Sequence, residues 1–370
     1  MDATRAVIFA VFVGLPACSE GYPPAVSGSG VSWTAADSVF HQEPRWLGGD
    51  GAYSVDLGGG RVAWLFGDTF VATSAALVRA ESEMVRNTVA VQTGLDPTTA
   101  AMQAAWGPEI GGRPTSVFGE IGDRWHWPGG GARLPSGKVA VFLMIQRPTP
   151  GEGLGFASDG WRVAFVSNPD DPPSKWLVTL VDPQPQPFDA VVGTAVALEG
   201  AYLYALAASS DSNHVGRLAR FPLDALDRRD LGAIEWWTGA RWASPSELRD
   251  APAVVMDDAG SEASLHRDDR LGLWLHIASR GFGATTIAVR TAPAVTGPWS
   301  DQADVFTPPE SLEANPFVYA AKAHPEIATP DATLAVTYAT NSFRFEDLLT
   351  VDGARRLYWP RFARIRLVPR

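Results

Sequence analysis

The segment RVAFVSNPDDPPSKW, residues 162–176, runs from a β-branched strand through prolines to a tryptophan. The same form returns in RLARFPLDALDRRDLGAIEWW (217–237) and IAVRTAPAVTGPW (287–299). Trp176, Trp236 and Trp299 lie 60 and 63 residues apart. A strand pair precedes each one: GARLPSGKVAVFLMI, VVGTAVALEGAYLYALA and ASLHRDDRLGLWLHIAS. A short strand follows, as in LVTLVDP and ADVFTPP. Four strands per repeat of this length predict the blade of a β-propeller. FVYAAKAHPEIATPDATLAVTYATNS and LYWPRFARIRLV supply three strands of a last blade, and GVSWTAADSVF near the start offers its fourth. The expected fold is therefore all-β: a five-bladed propeller of four-stranded antiparallel blades over residues 31–370. Its ring would be closed by an N-terminal strand at 31–40 beside 358–368, and six blades is the alternative count.

Composition agrees with that class. Of 370 residues, 46% are hydrophobic and 19% charged, enough for a large core. Gly 36, Pro 29 and Trp 14 break the chain into short apolar runs, and the best helical pattern lies near Ser74–Val85. The net charge of -11, with no basic block interleaved with aromatics, argues against nucleic acid as a partner.

The first twenty residues, MDATRAVIFAVFVGLPACSE, place Arg5 before an apolar run, Ala6–Leu15, and then Leu15-Pro16-Ala17-Cys18. The run is too short to span a bilayer, which takes about 20 residues, and fits a secretory signal with a small-residue cleavage site. Cys18 is the single cysteine. The pattern resembles a bacterial lipobox, which implies lipidation of Cys18, a signal peptide over 1–18 and a flexible tether over 19–30. An ordinary signal peptide with an incidental cysteine is the other reading. A lipid-anchored monomer facing the periplasm or exterior is expected.

GGDGAYSVDLGGGRVAWLFGDTF, residues 48–70, begins the first blade as a hairpin centred on Gly59. Asp50 and Asp68 stand at equal distances from that centre, so an unbulged pairing sets them face to face. Like charges so placed destabilise a hairpin, and their presence at the end of a first strand suggests use. Comparable positions in other blades carry His126 and Trp127, Glu262, His324 and Glu326; second strands end at Arg280 and Asn341. Asn87, between two strands of the first blade, joins this set. Carboxylates from separate blades can flank a sugar ring, as glycoside hydrolysis requires. Trp127 and Trp46 suit stacking on sugar faces. Each residue also has a plain reading: Asp50 as a turn residue, Asp68 as an acceptor for strand-end amides, Glu262 as a solvated loop acid. Asp56 is expected to point outward, and His266 and His276 to pack.

GDGAYSV, LFGDTF, RNTVAVQTG, SEASL, RTAPAVTGPWS and AHPE cover most of residues 45–365. In these pieces the chain resembles the five-bladed propeller glycosidases of the arabinanase and fructosidase group. It resembles more closely a bacterial domain family of largely unassigned function related to endo-D-arabinanases. The resemblance implies Asp50 as base or nucleophile, Glu262 as acid and Asp68 as their modulator. The chain departs from the arabinanase pattern at HWPGGG, where no carboxylate stands at the modulator position. The implied activity is hydrolysis of a furanoside or related polysaccharide without a cofactor. A structural cation near the axis, held with help from His324 and Glu326, remains an open alternative. A glycan-binding propeller without catalysis and a scaffold for protein partners are the rival functions.

The N-terminal reading has a direct check. Mass spectrometry of the native protein is expected to find the mature chain beginning at a lipid-modified Cys18. An unmodified Cys18 within an intact cytosolic chain removes the envelope assignment.

Overall fold

The structure, a computed structural model, describes residues 22, 25–151, 154–211 and 213–370. Cys18, the signal segment and residues 19–21, 23 and 24 of the expected tether lie outside the described residues.

The fold is all-β, and five sheets of at least four strands follow one another along the chain. The first pairs Tyr53–Gly58, Arg61–Phe66, Thr88–Thr93 and Ala101–Ala105 in that order. The second is built on Arg124–Arg133, Val139–Pro148, Phe156–Val166 and Val178–Val181. The third runs from Val191–Glu199 through Tyr202–Ala208 and Gly216–Pro222 to Glu235–Trp237. The fourth comprises Ala263–Asp268, Leu273–Arg280, Thr286–Ala292 and Ala303–Phe306. The fifth has Pro316–Ala323, Leu334–Ser342 and Arg361–Pro369, and its outer strand is Val26–Ser32 from the other end of the chain.

The apolar alternation of these strands buries side chains between sheets rather than within one layer. Val55, Leu65, Val139 and Val141 join the first sheet to the second. Phe142, Phe165, Phe221 and Trp236 join the second to the third. Leu206, Leu218, Leu265 and Trp274 join the third to the fourth. Ile277, Val289, Val318 and Val336 join the fourth to the fifth. Val62, Trp64, Ala335 and Phe362 join the fifth back to the first. The repeat tryptophans are packing residues: Trp236 and Trp299 are buried and Trp176 packs against the first interface.

Three expectations are corrected. The strand that completes the fifth sheet is Val26–Ser32, antiparallel to Arg361–Pro369 with Val26 opposite Pro369; of the expected residues 31–40, only Val31 and Ser32 belong to it. Residues 26–30, expected in a tether, are thus part of the sheet. Residues 34–41 instead form helical turns, because Ala36, Val39 and Phe40 recur at helical spacing and are all buried. Asp37 in these turns accepts from Phe362 N at 2.8 Å and Arg361 Nη1 at 3.0 Å, which clamps them to the last strand. The helical pattern near 74–85 is also not realised: only Arg79–Glu81 turns, and Ser82–Val85 is a strand.

The outer strand VSGSGVS depends on its small residues. A Cβ on Gly30 would stand 2.5 Å from Ile365 Cδ1 and 2.6 Å from Phe306 Cβ. Gly30→Leu is therefore expected to cost about 1–3 kcal/mol by overpacking, read as a lower melting temperature. A melting temperature equal to that of the parent would show that this strand is not seated against the fourth sheet.

Candidate active site

The opening hairpin keeps the register read from its sequence: Tyr53 faces Leu65 and Val55 faces Ala63. Followed outward, this register brings Asp50 to Asp68, and Asp50 N donates to the Asp68 carbonyl at 3.3 Å. The ladder breaks here. Gly51 and Ala52 take positive φ of 80° and 53°, and regular pairing resumes only between Trp46–Gly49 and Thr69–Ala72. Gly67 allows the approach, since a Cβ there would lie 2.5 Å from Asp50 Oδ1.

The two carboxyl groups face different partners. Asp50 Oδ2 accepts from the hydroxyls of Tyr319 at 2.7 Å and Tyr358 at 3.2 Å. Asp68 accepts from Trp127 Nε1 at 2.8 Å and pairs with Arg86 Nη1 at 3.1 Å. Glu262, just before the first strand of the fourth sheet, comes close to the same turn: a Cβ on Gly51 would lie 3.8 Å from its Oε1. It pairs with Lys322 Nζ at 3.0 Å, and Lys322 is only 1% exposed. A bulge in the fifth sheet between Tyr319 and Lys322, with Ala320 at φ 58°, re-aims both side chains into the cluster. Tyr358, at φ 62°, is held from behind by Arg79, whose guanidinium donates to the carbonyls of Leu47, Leu348 and Leu357.

Burial, then the charges of Asp68 and Glu262, push the Asp50 carboxyl up to about 8, against the pull of its two tyrosine hydrogen bonds. Asp68 is raised by burial, opposed by Arg86 and Trp127. Burial lowers Lys322, and Glu262 opposes that shift. The site thus unites a carboxyl group that holds its proton at neutral pH with an ion-paired one. Two carboxyl groups in such unlike surroundings can serve as acid and base.

The other candidates divide. Trp127 belongs to the cluster through Asp68. Asn87 and His126 do not face it. Asn87 is fully buried, receiving Phe118 N and donating to the His126 carbonyl, and the buried His126 ring bonds to the Gly119 carbonyl. These residues position the strand that carries Trp127. Trp46 is also core, with Nε1 donating to Thr88 Oγ1, so it offers no face to a sugar. Arg280 pairs with Asp304 on the exposed end of its strand, and Asn341 stands opposite Phe317 in the fifth sheet. His324 and Glu326 lie beyond the far end of Pro316–Ala323, in a cavity of about 890 Å³ shared with Ser54, Ser264 and His266, whose lining reaches the cluster at Lys322. Both nitrogens of His324 are engaged, by Ser54 and Thr337. Among the described residues, no three His, Cys, Asp or Glu side chains are grouped to hold a metal ion.

Sequence reading missed Tyr319, Tyr358, Arg86 and Lys322. Only Lys322 carried a signal, as one of three lysines in the chain and set inside an apolar strand.

Residues 34–367 match the profile of a domain of unknown function, DUF5005. The chain belongs to the DUF5005 family. No curated protein matches it significantly. Among solved structures, this DUF5005 chain is similar to a protein of Bacteroides ovatus ATCC 8483 provisionally assigned as a hydrolase. The TM-score is 0.71 at 18% identity, over 95% of this chain and 93% of that one. That likeness is one of fold. Lower similarity extends to the catalytic domain of the Coprinopsis cinerea GH62 alpha-L-arabinofuranosidase, with TM-score 0.48, 12% identity, and 93% and 96% of the two chains covered. An alpha-L-arabinofuranosidase from Lactobacillus brevis gives 0.47, 12%, 90% and 94%.

The raised Asp50 has a consequence for stability. Its folded value of about 8 lies above the ordinary carboxylate value of 3.8, so between them the folded state binds the extra proton. Asp50's contribution is therefore full below about 4 and is lost as pH rises through about 8. Asp50→Asn cannot ionise. Its melting temperature relative to the parent is expected to climb across that window, by about 2 °C or more at the alkaline end. A difference that stays constant from pH 4 to pH 9 would place Asp50 in an ordinary solvated setting.

Proposed function

We propose that the five sheets are the blades of a five-bladed propeller and that the chain is a glycoside hydrolase of a furanoside or related polysaccharide. We further propose that it is anchored to the cell envelope through Cys18, as its N-terminal sequence suggests. The observation that carries the enzymatic reading is the meeting of Asp50, Asp68 and Glu262. These residues come from the first and fourth sheets, and Tyr319 and Lys322 of the fifth tie them together.

Hydrolysis of a glycosidic bond needs one carboxylic acid to protonate the leaving oxygen and one carboxylate to act as base or nucleophile. The proton of this cluster resides on Asp50, whose Oδ2 is taken by two tyrosines. Glu262 is ion-paired with Lys322. This arrangement favours Asp50 as donor and Glu262 as carboxylate, the reverse of the roles the resemblance implies. Asp68 supports the proton on Asp50 by its proximity, and its own bonds to Arg86 and Trp127 keep it oriented.

The test is release of reducing ends from a panel of furanoside- and pyranoside-containing polysaccharides. Asp50→Asn and Glu262→Gln are each expected to lose about 10²-fold or more in turnover. With Asp50 as donor, kcat/KM falls as pH rises through about 8; a rise through the same pH would return Asp50 to the role of base. Retarded migration in polysaccharide-containing gels without any cleavage would make the protein a glycan-binding propeller instead.

A further inference from the structure

Three phenylalanines meet at the surface beside this cluster. Phe282 and Phe343 are 61% and 55% exposed, and Phe317 is half-buried between them. Their ring centroids are 4.7 Å apart for Phe317 and Phe343, 5.1 Å for Phe282 and Phe317, and 5.6 Å for Phe282 and Phe343. Phe282 is held at the tip of a turn by Gly281 and Gly283, at φ 85° and 91°. The adjoining strands fix the other two: Phe343 N donates to the Asn315 carbonyl, and Phe317 lies opposite Asn341. The triad is thus a built surface of aromatic rings standing in water. Nothing in the packing of the core requires two of these rings to be exposed, and a contiguous apolar patch of this kind marks a binding surface.

Its position says what it binds. Phe317 is 5.5 Å from Tyr319 along the same strand, and the Tyr319 hydroxyl is 2.7 Å from Asp50 Oδ2. The rings therefore form a path from solvent to the reacting carboxyl group. Asn341 adds a hydrogen-bonding amide beside Phe317, and Arg280 stands at the base of the Phe282 turn, in its pair with Asp304. Aromatic faces with a few polar groups suit the C–H face and flanking hydroxyls of a sugar ring. A bilayer is the poorer fit: the short helix after Phe343, Phe345–Leu349, carries Glu346 and Asp347, and the whole chain has charge -11.

We propose that Phe282, Phe317 and Phe343 form a distal subsite that seats further units of a glycan chain whose scissile bond lies at Asp50. The inference rests on the hydrolase reading and extends it. A single sugar held at Asp50 is separated from Phe282 by Tyr319 and Phe317, so only an oligosaccharide or polysaccharide reaches both. Chain length then becomes the specificity the rim imposes.

The experiment compares kcat/KM on a p-nitrophenyl furanoside with kcat/KM on long arabinan oligosaccharides, for the full chain and for Phe282→Ala/Phe343→Ala. Binding is followed separately by affinity electrophoresis in soluble arabinan, with both versions carrying Asp50→Asn to block turnover. Both substituted rings are exposed, so the fold is expected to survive, as the melting temperature will show. Leu177→Ala, at a 64% exposed site in the second sheet region, serves as surface control and is expected to change neither readout. The double variant is expected to lose at least about tenfold in the ratio of long to short substrate and to migrate faster in the arabinan gel. Cleavage by the parent with no dependence on chain length, or an unchanged ratio in the double variant, overturns the subsite and leaves the hydrolase reading standing. A parent that neither binds nor cleaves either probe overturns the subsite on that polymer and calls the reading itself into question on the wider panel. Flotation of the parent but not the double variant with anionic vesicles, with no glycan effect, assigns the rings to a membrane instead.

Discussion

A carboxyl group can be buried beside two others only if its charge is answered or its proton kept, and the site depends on how Asp50 meets that demand. Its surroundings use both means. Two tyrosine hydroxyls answer the charge, and the neighbouring Asp68 and Glu262 favour retention of the proton. Each supporting group needs an irregularity in an otherwise regular sheet. Gly51 and Ala52 interrupt the first hairpin, a bulge displaces Tyr319 and Lys322, and Tyr358 sits at positive φ. Bulges and strained turns weaken a ladder locally, and here they gather around one buried carboxyl group, so the fold gives up regularity to hold it.

That same concentration explains how much of the site was legible in the sequence. The Asp50–Asp68 pairing followed from simple hairpin register, because a period of two on either side of a glycine turn leaves little freedom. Trp127 was visible as a polar-tipped aromatic at a strand start. Tyr319 and Tyr358 were not, since each reaches Asp50 through a backbone conformation that the strand pattern does not announce. The histidines misled for the opposite reason. His126 and His324 sit at positions that look equivalent along the repeat. Burial engages His126 through the Gly119 carbonyl, and Ser54 and Thr337 take up the ring of His324.

The fold itself was read from a recurrence of proline and tryptophan, which the structure uses as packing between successive sheets. Its error lay at the edge. VSGSGVS has little strand propensity and reads as linker, yet it pairs along its whole length with Arg361–Pro369. Its glycines matter because Ile365 and Phe306 leave no room for a larger side chain. The more strand-like WTAADSVF coils instead, because Ala36, Val39 and Phe40 find a common buried face there. Tertiary packing overrode local preference in both segments, in opposite directions.

The pairing of Val26–Ser32 with Arg361–Pro369 also bears on how the molecule comes into being. The two strands are separated by nearly the entire sequence, so this contact is among the most non-local the chain makes, and loop closure must precede any gain from it. On the ribosome the early strand has no partner until Arg361–Pro369 has been made. Four sheets can gather in order from neighbouring segments, but the fifth waits for Arg361–Pro369. Until then the Leu334–Ser342 edge is unpaired, and an exposed strand edge is a site for wrong association.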